Sequence, residues 1–182
     1  MITFSSKKII TEKPTGNRIS DWGTSHLLLY LLVLLDIQEK KLSLEKVIVF
    51  PENVEKEKSS LRTTSANYGE KRVLLDVLNQ AISLNSPDCI IALTELYGGV
   101  KQTKIKIDEL GKKLNVSRLS RINITGRKNT IQKSNLFDYY KIANAYLKLS
   151  KSIFSLIRNR IHIIKGQVFY PQSSSDLKGD TI

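Results

Sequence analysis

The sequence predicts a mainly α fold: a helical accessory domain that carries a winged-helix or helix-turn-helix-like module and closes in a short C-terminal β-hairpin. Three observations predict it. Leu27 to Leu35 is apolar nearly all round, as a helix buried on several sides must be. Apolar residues recur at helical spacing over Glu70 to Leu84 and again over Asn135 to about Asn159. Positive charge is confined to one stretch: residues 1–100 carry 12 Lys+Arg and 12 Asp+Glu, residues 101–165 carry 16 and 3, and residues 166–182 carry 1 and 2.

Ile2 to Ile10 has strand-like residues, which Pro14, Gly16 and Asn17 interrupt. The first helix starts near Ser20 or Asp21, either of which can cap it. It runs through Trp22 and His26 to Leu35 and serves as a central core helix or one shared with another subunit. His26 reads as a satisfied helix-start histidine. Leu42 to Phe50 is apolar and partly β-branched, and Pro51 stops it. Glu52 to Lys58 is a charged turn or short helix, and Ser59 to Ser65 is a polar loop. Over Glu70 to Leu84 the stripe Val73, Leu74, Val77, Leu78, Ala81 and Ile82 faces inward, while Glu70, Lys71, Arg72, Asp76, Asn79 and Gln80 line the other side. Ser86-Pro87 opens the next helix, because proline at the first helical position gives up a donor that has no partner anyway. Gly98-Gly99 ends it.

The basic region opens with the alternating Lys104-Ile-Lys-Ile107, a strand-like lead-in. A short helix from Asp108 follows, with Leu110 and Leu114 on one face. Asn115 is expected to close this helix in the left-handed conformation, Val116 to plug the turn and Ser117 to cap a second helix. That is a helix-turn-helix shape, which would present Arg118 and Arg121 to base edges or phosphates, with Arg127 and Lys128 on a wing and Lys112 and Lys113 nearby. These six residues are the DNA-binding candidates. Tyr139, Tyr140 and Tyr146 sit at helical spacing and read as core. His162 and its neighbours begin the hairpin, Ile161 to Ile164 with Val168 to Tyr170, and a polar tail runs from Pro171. The division expected is a neutral helical half with the core helix, 1–100, and a basic helix-turn-helix-like region with the long C-terminal helix, 101–170, the two forming one continuous domain, followed by a disordered tail, 171–182.

The side-chain inventory argues against several chemistries. Cys89 is the one cysteine, so no internal disulfide forms, and with two histidines there is no ligand set for structural zinc. Cys89 reads as a buried small apolar residue. Pro87-Asp88 with Glu95 invites comparison with the metal-binding core of restriction-type nucleases, but position 97 is Tyr where that core needs Lys, and the segment looks helical. Because the acids are scattered through the neutral half, no general acid–base pair is expected. The expectation is a non-enzyme without cofactor. The longest apolar run is half of what a bilayer span requires, and no leader pattern opens the chain, so the expected location is cytoplasmic.

The Leu27 to Leu35 helix, Phe50-Pro51, Ser60-Leu61-Arg62, the two middle helices to Tyr97 and the Ala143 to Leu156 helix with Lys151-Ser-Ile-Phe154 follow one another in an order that resembles the small middle component of three-component defence systems of the Lamassu type. That resemblance implies a non-catalytic subunit that docks on a large SMC-like ABC ATPase beside an effector subunit and helps to hold double-stranded DNA, in antiviral or anti-plasmid defence. The alternative is a free-standing helix-turn-helix regulator or plasmid maintenance protein, and a nuclease stands further behind.

Overall fold

In the computed structural model, the residues described are 24–57, 64, 66–116, 124 and 136–156, together with short strands at 4–5, 8–9, 19–20, 133–134, 162–164 and 167–169. Strands β1 (Phe4–Ser5), β2 (Lys8–Ile9) and β3 (Ile19–Ser20) precede α1 (Thr24–Gln38). Then come β4 (Val47–Val49), a 3-10 turn (Glu52–Glu57), β5 (Lys71–Val73), α2 (Leu74–Leu84), α3 (Pro87–Thr94), a second 3-10 turn (Glu95–Tyr97) and α4 (Val100–Lys113). The chain continues through β6 (Lys133–Ser134), α5 (Leu136–Leu147), α6 (Lys151–Leu156), β7 (His162–Ile164) and β8 (Gln167–Phe169). The fold is mainly helical. Its strands pair only two by two, β1 with β2, β3 with β6, β4 with β5 and β7 with β8, all antiparallel.

Helix α1 is the centre of the core. Leu28, Leu29, Leu31, Val33 and Leu34 are wholly buried, and α4, α5 and α6 all pack on it. Its all-round apolar character is therefore explained within this chain. The α2/α3 pair closes the core with Leu74, Val77, Leu78 and Ala81 from one helix and Ile90, Ile91 and Leu93 from the other, with Phe50 beneath. Polar ties fix the helices at both ends of α1. Tyr146 donates its hydroxyl to the Leu27 carbonyl at 2.6 Å, Tyr97 donates to Asp36 at 2.8 Å, and the Ser150 N–H reaches Gln38 Oε1 at 2.8 Å.

Four expectations change. Lys104 to Ile107 is not a strand: α4 runs unbroken from Val100, and its buried stripe is Thr103, Ile107, Leu110 and Gly111. Gly98 and Gly99, with φ of 85° and 89°, make the sharp reversal that lets α4 begin directly after the 3-10 turn. Asn115 does close α4 at φ 55°, but residues 117–123, the expected second helix, lie outside the described residues, so no winged helix is shown. The Glu70 to Leu84 helix is also shortened. Lys71 to Val73 pairs with Val47 to Val49 as a ladder, Val47 opposite Val73 and Val49 opposite Lys71, and only then does α2 begin. The single C-terminal helix is broken at Lys148 to Ser150, where Ser150 Oγ accepts the Ile153 N–H and opens α6. Finally, Asn79 and Gln80 are buried rather than solvated.

Candidate functional site

Two polar nodes meet at the junction of α2 and α3, where Asn85 and Ser86 are consecutive. Asn85 ends α2 in the left-handed conformation, φ 49°, which asparagine tolerates because its short amide bonds locally. Its Oδ1 lies 3.1 Å from His26 Nδ1 and 3.5 Å from the Tyr30 hydroxyl. His26 Nε2 donates to the Ile124 carbonyl at 2.9 Å, and Tyr30 donates to the Ala81 carbonyl at 2.9 Å. The start of α1, the end of α2 and the buried Ile124 are thereby held together. Both ring nitrogens face oxygen, which suits an imidazolium. Turning the Asn85 amide brings Nδ2–H to Nδ1 and satisfies a neutral ring equally well. Burial pushes the Tyr30 hydroxyl well above its ordinary value, with smaller contributions from Tyr146 and Cys89, so it stays protonated and donates.

The second node is built on Asp88, in the first turn of α3 and 1% exposed. Its Oδ1 accepts from the Thr64 N–H at 3.2 Å, the Cys89 N–H at 3.0 Å and the Ser86 hydroxyl. Oδ2 accepts from the Thr64 hydroxyl at 2.7 Å and the Ala66 N–H at 3.1 Å. Arg72 completes the cluster, donating to Thr64 Oγ1 at 2.8 Å, Gln80 Oε1 at 2.6 Å and Glu70 Oε1 at 2.6 Å, with its guanidinium 4.8 Å from the Phe50 ring centroid. Ser86 does precede the helix that Pro87 opens, but its hydroxyl does not cap it. It accepts from the Thr64 N–H and donates to Asp88 instead.

Chemically this junction is a closed lattice. Cys89 is buried, as expected, although among polar neighbours: its Sγ is 3.4 Å from Gln80 Oε1. Desolvation first, and then the Asp88 charge, raise its thiol pKa to about 12, so no thiolate nucleophile forms near neutrality. The Ser86 hydroxyl is committed to Asp88, and the two nitrogens of His26 to Asn85 and Ile124. Asp88 lies on α3 and Glu95 in the following 3-10 turn, not at strand ends, which agrees with discounting the nuclease comparison. Among the described residues, no three His, Cys, Asp or Glu side chains converge as a metal site. Nor is any helix among them long and apolar enough to cross a membrane.

Of the six basic candidates, Lys112 and Lys113 are exposed in the last turn of α4, where cations complement the helix carbonyls, and Lys112 pairs with Asp108 at 2.5 Å. Arg118, Arg121, Arg127 and Lys128 lie outside the described residues. The Asp88 node was missed in the sequence because its donors come from a segment 22 to 24 residues earlier, read as a plain loop. The usable signal was a lone acid in the first turn of an otherwise apolar helix.

Solved structures supply the comparison. The chain superposes on penicillin-binding protein 5 of Haemophilus influenzae with a TM-score of 0.79 at 12% identity, over 90% of this chain and 48% of that one. A D-alanyl-D-alanine carboxypeptidase of Francisella tularensis gives 0.77 at 17% identity, over 95% and 42%. Penicillin-binding protein 6B of Escherichia coli gives 0.77 at 13%, over 92% and 54%. The chain thus has the fold of one part of these proteins and spans about half their length. No protein-family model and no curated protein sequence matches it.

This likeness overturns the functional expectations. The apolar elements that resembled the Lamassu-type component superpose instead on part of the penicillin-binding proteins, so the SMC-like ATPase, the effector and DNA no longer follow as partners. The helix-turn-helix regulator and the plasmid maintenance protein fall with them. The expectation of a non-enzyme fails too, because it rested on the lack of paired acids. A D-alanyl-D-alanine carboxypeptidase and a DD-transpeptidase share this fold, and catalysis does not require two paired carboxylates.

Proposed function

We propose that this chain forms the helical part of a domain directed at peptidoglycan stem peptides ending in D-alanyl-D-alanine. The observation that carries the proposal is the TM-score of 0.77 to 0.79 over at least 90% of the chain against penicillin-binding proteins and a D-alanyl-D-alanine carboxypeptidase. A DD-transpeptidase of Streptomyces, at 0.70 and 16% identity, supports the same substrate class. A peptidoglycan substrate also moves the site of action away from the cytoplasm.

Penicillin-binding proteins carry Ser-x-x-Lys, Ser-Asp-Asn and Lys-Thr-Gly motifs, the serine being the nucleophile. This sequence has Ser-x-x-Lys at Ser5–Lys8, Ser43–Lys46 and Ser175–Lys178 and contains no Lys-Thr-Gly. Of these pairs only Ser43–Lys46 falls wholly among the described residues. It stands on the exposed turn before β4, where Ser43 Oγ accepts the Glu45 N–H. On this reading the described part contributes a wall, in which His26 and Tyr30 hold α1 to the end of α2 and Asp88 holds Thr64 and Ala66 to α3.

The test is incubation with a fluorescent penicillin, followed by intact-mass measurement and a competition with a D-alanyl-D-alanine peptide. The expected result is saturable binding that the peptide displaces. A mass increase equal to the penicillin would identify a covalent acyl adduct, and the modified peptide would show whether its nucleophile is a serine. Absence of any penicillin or peptide binding would overturn the proposal.

A further inference from the structure

Independently of that reading, we infer that the exposed face of α4 is a docking surface for an anionic lipid bilayer. Residues 100–133 carry ten Lys+Arg and two acids, and five of the ten and both acids stand on α4. Lys101, Lys104, Lys106, Lys112 and Lys113 are all exposed on it, while the helix is fixed to the core through Thr103, Ile107 and Leu110. Of the two acids, Asp108 is neutralised by Lys112 at 2.5 Å, which leaves Glu109 as the opposing charge. Lys106 rests its ammonium 5.7 Å from the Tyr97 ring centroid. Its charge stays in solvent there.

The argument for a bilayer rather than a soluble polyanion is Ile105. It is 48% exposed and flanked in sequence by Lys104 and Lys106, with Lys101 one turn before it. An aliphatic side chain offered to water amid ammonium groups gains nothing against a chain of phosphates. It gains burial when the lysines bring it to the headgroup and acyl boundary.

The experiment is sedimentation of the whole chain with vesicles of phosphatidylcholine alone or mixed equally with phosphatidylglycerol, alongside binding to soluble polyphosphate. Binding to the mixed vesicles is expected, with little to the neutral ones. Replacing Lys101, Lys104 and Lys106 together by glutamine should lower vesicle partitioning on the order of a hundredfold, at about fivefold per lysine. Replacing the same three by arginine should retain it. Ile105→Ser should lower vesicle affinity roughly tenfold and leave polyphosphate affinity unchanged. These substitutions are at exposed positions, and an unaltered circular dichroism spectrum and Tm verify the fold. Equal binding to neutral vesicles, an unaffected glutamine variant, or an Ile105→Ser variant with undiminished vesicle binding would overturn the inference.

Discussion

Asp88→Ala lowers the unfolding free energy by about 3–5 kcal/mol, because it leaves several buried donors without their charged acceptor. The donors are the Thr64, Ala66 and Cys89 N–H groups and the Thr64 and Ser86 hydroxyls, all within 3.2 Å of the carboxylate. Because water cannot reach them, their desolvation is uncompensated. Asp88→Asn does not rescue the node, since its amide nitrogen must point at donors whichever way it turns. Urea unfolding measures the loss, and Tm should fall by roughly 10 °C. Amide exchange should quicken first at Thr64 and Ala66, whose backbone the carboxylate pins to α3. A loss below about 1 kcal/mol, typical of surface positions, would show that the node is not what holds this segment.

Leu31→Ala has a comparable effect from a different cause. Leu31 is wholly buried on α1, and α4, α5 and α6 pack around that helix, so truncation leaves a cavity that no single neighbour can fill. The expected cost is about 3–5 kcal/mol, against less than about 1.5 kcal/mol for the volume-conserving Leu31→Met. The ratio of the two is the informative quantity. If Leu31→Ala were as mild as Leu31→Met, α1 would not be the common core of the helices that surround it.

What the sequence disclosed and what it hid divide along local and non-local physics. Leu27 to Leu35 was legible because a helix without a polar face must be buried, and Asn115 and Gly98-Gly99 because their backbone conformations are set within a turn. The strand at Lys71 to Val73 was hidden because its partner lies at Val47 to Val49, and a helical apolar period runs straight through it. The break at Lys148 to Ser150 was masked by Leu147 and Leu149, which continue that period. Asn79 and Gln80 looked solvated until Arg72 and Cys89 were placed beside Gln80. The functional expectations rest on features that do not determine function: an order of apolar helices that unrelated folds share, a basic stretch that is a property of the surface, and a lack of paired acids that many enzymes do without.

The proposed recognition of a D-alanyl-D-alanine peptide by this helical fold is tested most directly by a stereochemical titration. Calorimetry with a diacetyl-L-lysyl-D-alanyl-D-alanine peptide and its all-L counterpart should give saturable binding of the first and at least a tenfold weaker signal for the second, a difference of about 1.4 kcal/mol. Equal affinity for the two peptides, or heat from neither, would contradict it.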